Sequence, residues 1–271
     1  MFEKPAAITR IGILQIILAA SFVIWLIFFP STAWNFAWPV TPAFSAMFIG
    51  TGFLARTYIG YYLWREKHWA KLRWQVNANY AFLLVIFLAT FWHVDEMNWK
   101  SNIIVAHIWV LAYTIEPIML YLLEPRSQES KAPLPVELQE GPVLPGLKRV
   151  AVLGLVVAAA LASLLFINPR FMNTRWPWPL DPFNARIMAA FLMLAAAWCR
   201  EVYFAEEWAE VKRAVFGLLI YAASNFSLWL VMFPQFDLTR KNGITFGIAF
   251  GLFTVLLAYY SYRQERLKKT A

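Results

Sequence analysis

The chain is poor in the residues that most chemistry needs. It has one cysteine and three histidines in 271 residues, and only 15% of its residues are charged. A lone cysteine, Cys199, excludes an internal disulfide and any cysteine-built metal site. It falls within an apolar run, where a small buried side chain is the expected role. Soluble domains carry roughly a quarter charged residues, so a chain this poor in charge and 61% hydrophobic cannot cover itself in polar surface. Several signatures are missing as well. No phosphate-cradling glycine loop, H-E-x-x-H or G-x-S-x-G motif occurs. There are no alternating ten-residue strands of a membrane barrel, and no row of acids lines an ion path. Enzyme activity is not expected, and no catalytic residue is assigned.

What the sequence does have is long apolar runs. A bilayer crossing needs about 20 apolar residues. Eight such runs occur, near 11–29, 42–64, 76–92, 102–123, 150–167, 183–204, 214–233 and 243–262. Backbone groups in lipid must be satisfied within their own segment, so these runs predict helices. Several start just after Pro42, Asn102, Pro182 or Asn242, which suits a helix start. The first run follows Lys4 and Arg10 as a signal sequence would. No small-x-small cleavage site follows it, and it is read as a retained first span.

The net charge of +8 raises nucleic acid as a partner, but the basic residues lie in short clusters between apolar runs. That pattern fits membrane orientation and anionic lipid. Lys4 and Arg10 precede span 1, and Arg65, Lys67, Lys71 and Arg73 follow span 2. Arg126, Lys131, Lys148 and Arg149 lie between spans 4 and 5; Arg200, Lys212 and Arg213 border the 6–7 connection. Arg263, Arg266, Lys268 and Lys269 occupy the tail. The opposite connections hold only Lys100, Arg170, Arg175, Arg240 and Lys241. Both termini are therefore expected in the cytoplasm, in a cell or inner membrane. Ten tryptophans, including Trp34, Trp38, Trp69, Trp176, Trp178 and Trp208, fall at span ends, where an interfacial belt is expected.

One motif occurs twice. Trp38-Pro39-x-x-Pro42 returns as Trp178-Pro179-x-x-Pro182, about 140 positions later, accompanied by Pro30 with Pro169 and Trp69-Ala70 with Trp208-Ala209. Each copy contains four runs, an even number, so both copies enter the bilayer from the same side. The expected fold is an all-α integral membrane protein of eight transmembrane helices, arranged as two parallel, same-orientation four-helix repeats. Residues 1–123 form the first repeat, 124–149 a cytoplasmic proline-rich linker, and 150–271 the second repeat.

Ionisable groups inside a bilayer are costly and mark candidate sites. Arg56 and Glu116 each lie some 21 Å below the outer start of their span, by the rise of an α-helix, and are expected to form an intramembrane ion pair. Its use is either a gate or carboxylate site, or a structural bridge; near the equivalent positions the second half has Ala196 and Leu257. At the outer end of spans 3 and 4, His93, Asp95, Glu96 and His107 carry groups able to hold a metal, haem or a proton, though their spacing matches no metal signature. Arg186 is expected to reach outward or pair with Asp181. Gly243, Gly247 and Gly251 form a small-residue stripe for close helix packing.

Three function classes follow. The leading one is a non-catalytic structural or accessory subunit that packs with other membrane subunits or with itself. The alternatives are a small-solute transporter or channel using Arg56 and Glu116, and a metal or haem redox subunit using His93 and His107. No cofactor is expected under the leading class; haem, a divalent metal or a pigment belongs to the third. The bilayer is the expected partner in all three, and nucleic acid in none.

Overall fold

In a computed structural model, the described residues are 3–125, 134–235 and 242–268. The basic residues Arg126, Lys131, Arg240, Lys241 and Lys269 lie outside them. The chain is all-helical, with no strands among the described residues beyond two isolated bridges. Its helices are α1 (Ala6–Val23), α2 (Ala43–Arg65), α3 (Arg73–Trp92), α4 (Ile103–Leu123), α5 (Pro145–Ile167), α6 (Pro169–Asn173), α7 (Pro182–Phe204), α8 (Trp208–Met232) and α9 (Asn242–Lys268). A π-helical turn, Ile24–Phe28, prolongs α1.

Seven of the long helices are long and apolar enough to cross a membrane. The eighth, α2, is not among them. It carries Thr51, Arg56, Thr57 and three tyrosines, and most of its residues are buried against other helices, so it needs no apolar coat. The helices also outrun the apolar segments. Helix α5 begins at Pro145, inside the expected linker, and α8 begins at Trp208, because Lys and Arg continue a helix readily. The described end of the linker, residues 134–149, is tied to the bundle. Leu134 and Val143 are buried, and Gln264 of α9 accepts from the Leu144 N–H and donates to the Pro142 carbonyl.

Helix α7 is the most enclosed, with 72% of its apolar window buried against 22% for α4, α5 and α9. The packing follows a pattern: α1 lies on α2 and α5 on α7, while α3 lies on α7 and α8 on α2. Each half thus lends its third long helix to the second helix of the other.

Contacts recur at the spacing of the sequence motif. The bridge Glu3–His68 is matched by Pro142–Glu207. Asn102 donates to the Asn35 carbonyl, and Asn242 to that of Arg175. Trp38 donates its indole N–H to Asn184 Oδ1 at 2.9 Å, while Trp178 donates to Ser45 Oγ at 3.0 Å. Phe183 packs on the Trp38 ring and Phe44 stacks on Trp178. The tryptophan belt therefore needs correction. Trp34 and Trp92 are exposed, but Trp38, Trp69, Trp176, Trp178 and Trp208 are buried, because their rings find partners inside the protein. The end of the bundle bearing the N-terminal residues is sewn by ion pairs between the halves, Arg73–Glu210 at 2.5 Å and Arg213–Glu66, and within the second half by Lys212–Glu265 at 2.5 Å.

At the seam, Gly52 of α2 faces Phe191 of α7, and a Cβ on Gly52 would run into the phenyl ring. Overpacking a filled core costs about 1–3 kcal/mol. Gly52→Leu is expected to lower the thermal unfolding midpoint in detergent, and adding Phe191→Ala to recover part of it. A Gly52→Leu protein that melts like the wild type would refute this packing.

Candidate functional site

Four helices contribute one side chain each to a polar cluster in the first half. The Arg56 side chain lies about 20 Å along α2 from its start, and Glu116 an equal distance along α4. Arg56 Nη2 donates to both carboxylate oxygens of Glu116, at 2.6 and 2.8 Å. Gln15 of α1 donates to Glu116 Oε1 at 2.5 Å and Asn79 of α3 to the same oxygen at 3.2 Å. Arg56 Nη1 also donates to Asn79 Oδ1, and its guanidinium lies 4.7 Å over the Phe82 ring. The carboxylate is an acceptor-only group, and here its oxygens meet donors from α1, α2 and α3. Burial is nearly complete, with side-chain exposure of 4% for Arg56 and 13% for Glu116.

Gln15, Arg56 and Glu116 of the cluster line a cleft of about 370 Å³ between α1 and α4. Leu14, Leu18 and Phe22 wall one side; Leu111, Ile115 and Met119 wall the other. Pro117 lies within α4 and has no N–H, which leaves the carbonyl of Tyr113, a cleft residue, without its usual helical donor.

Of His93, Asp95, Glu96 and His107, only His93 and Glu96 come together. Among the described residues, no three His, Cys, Asp or Glu side chains come together as metal ligands. His107 is exposed and its Nδ1 meets the Ile103 carbonyl of its own helix; Asp95 is exposed on a separate turn. His93 is buried and both ring nitrogens are engaged, Nδ1 with Glu96 at 2.7 Å and Nε2 with Arg186 Nη1 at 2.6 Å. A guanidinium only donates, so Nε2 accepts and the ring proton sits on Nδ1, facing the carboxylate. Phe183 stacks on the imidazole at 4.7 Å.

Arg186 departs from its expected place. It turns into the protein rather than outward, donates to the Phe166 carbonyl at 3.0 Å and lies 4.4 Å over the Trp92 ring. Asp181 instead caps α7 through the Asn184 N–H at 3.0 Å; burial, opposed by the bonds from Asn184, pushes its carboxyl above the ordinary value. Sequence spacing gives no sign of the Arg186–His93 contact, since the two belong to different halves.

The glycine stripe faces α8. The Gly243 carbonyl accepts the Trp229 indole at 2.8 Å, while side chains on Gly247 and Gly251 would strike Trp229 and Phe226. Those two rings are stacked. The stripe is filled by the protein's own rings.

No family model, curated protein or solved structure matches the chain.

Removing one member of a buried pair costs about 3–5 kcal/mol, because the other charge is left bare, whereas joint apolar replacement can be near neutral. Arg56→Leu and Glu116→Leu should each sharply lower the unfolding midpoint, and the double variant should melt above either single one. Additive losses would refute the coupling.

Proposed function

We propose that this polytopic membrane protein is a non-catalytic structural or accessory subunit of a larger membrane assembly. It spans a cell or inner membrane eight times, as two parallel four-helix repeats with both termini in the cytoplasm. The recurrence of bridges, caps and tryptophan contacts supports the repeat, as does the sequence of helices, which runs in the same order in both halves. Helix α2 counts as the eighth span because its 23 residues equal those of α7, its counterpart by motif position, and because it runs between the same two ends of the bundle. The basic connections supply the orientation.

The observation that carries the functional reading is the filled seam. Transporters built from parallel repeats hold substrate near the bilayer midplane where the repeats meet. Here the middle of the seam holds Phe53, Phe191 and Phe82 in ring-to-ring contact, and Trp38, Phe183, Phe44 and Trp178 fill the end where α2 and α7 begin. The Arg56–Glu116 pair lies off the seam, within the first half, as a bridge among helices. A molecule built this way offers surfaces to partners, among them the exposed apolar rows of α5 and α9.

Gentle purification from the native membrane is expected to yield partner chains in fixed ratio, and the same chain alone in vesicles should not speed small-solute entry. A solitary protein in the native extract, with vesicle permeability lost in Glu116→Gln, would replace this reading with transport.

A further inference from the structure

The turn after α3 is held against α7 by an imidazole engaged on both sides. Nδ1 of His93 donates to Glu96 Oε1 at 2.7 Å, and Nε2 accepts from Arg186 Nη1 at 2.6 Å. His93 is buried, whereas the Glu96 side chain on the same turn is 57% exposed. Phe183 of α7 stacks on the imidazole at 4.7 Å and packs on Trp38 of the seam at 4.8 Å. Arg186 is held in addition by the Phe166 carbonyl of α5 and the face of Trp92.

Only a neutral imidazole fits this arrangement. A second proton would have to enter at Nε2, because Nδ1 already carries one. Nε2 would then turn an N–H and a positive charge toward a guanidinium that can only donate. Glu96 favours the charged ring and Arg186 opposes it, while α5 supplies the Phe166 carbonyl to Arg186. A second carboxyl group, Asp181 at the cap of α7, lies within electrostatic reach of Glu96.

The charged ring has somewhere to go. Beyond the turn, the Asn98 side chain donates to the carbonyls of Trp34 and Phe36, and its backbone N–H to that of Ala37. Between α3 and this anchor, the short turn Val94–Glu96 contains no buried residue. It can carry His93 and Glu96 outward as an ion pair in water while both of its ends stay in place.

We propose that His93, Glu96 and Arg186 form a pH-sensitive latch between α7 and the turn after α3, closed while the imidazole is neutral and released when it is protonated. The open form takes up a proton that the closed form excludes, so lowering the pH favours release. Imidazole is the side chain whose charge ordinarily changes between about pH 5 and 8. Release uncovers part of Phe183, whose ring also packs on Trp38, so the change reaches the contact between the halves. The latch does not depend on the subunit reading, because all its members belong to this chain.

The test uses the full-length protein in nanodiscs with a nitroxide label on Asp95→Cys, an exposed position of the turn; Cys199 is buried and does not compete for the reagent. The label is expected to be largely immobile at about pH 8 and to become mobile, reversibly, toward about pH 5. For one proton, the ratio of mobile to immobile label rises by up to about tenfold per pH unit. His93→Gln offers Arg186 an amide oxygen and cannot take a charge, so its label should stay immobile in acid. Arg186→Leu removes the opposing donor and should flatten the response. Asp181 and Glu96 remain in His93→Gln, so an acid response in that variant equal to the wild type's would assign the change to the carboxyl groups and overturn the proposal. A wild-type label equally mobile at both ends of the pH range would overturn it as well.

Discussion

Lipid offers no hydrogen-bond partner, so an amide, indole or charge within a membrane bundle is stabilised chiefly by partners elsewhere in the protein. The Glu116 carboxylate shows what that constraint does. It draws Gln15, Arg56 and Asn79 from three other helices, and in doing so fixes the depth and rotation of all four long helices of the first half. An ion pair in water is worth little; here the desolvated charges are answered by each other and by the amides of Gln15 and Asn79. The cluster specifies an arrangement more than it adds stability, which is why joint replacement should be milder than a single one.

The same constraint works at the seam by exchange. Trp38 and Trp178 each carry an N–H into the interior, and each finds its acceptor at the start of the opposite half's second helix. Their rings pack on Phe183 and Phe44, the neighbours of those acceptors. Motif prolines hold the segments before α2 and α7 in fixed conformations and direct the indoles inward. Arg73–Glu210 and Arg213–Glu66 close the other end. The two halves are bound at both ends by polar contacts and between them by rings, with glycine against phenylalanine at the crossing of α2 and α7.

Much of the helical framework was readable in the sequence, because apolar length and helix-start residues report on each segment alone. The equal depth of Arg56 and Glu116 was readable for the same reason. Their additional partners were not: Gln15 is a single amide in an aliphatic run, and nothing in its neighbourhood distinguishes it from a lipid-facing residue. The tryptophans misled because an indole at a span end suits headgroups and a protein seam equally well, and only the fold decides. The Arg186–His93–Glu96 contact joins α7 to the turn after α3, a pairing that depends on how the halves dock. Polarity in α2 hides a buried helix from an apolarity measure, since a helix wrapped by others needs no lipid-compatible surface.

The central claim is that the two halves complete each other by exchanging side chains across their seam. It is tested most directly by producing residues 1–130 and 131–271 as separate chains in the same cell, with an affinity tag on one. The account predicts that the untagged half co-purifies in equal amount, and that loss of both Trp38 and Trp178 abolishes its capture. Two halves that accumulate stably and purify apart from each other would contradict it.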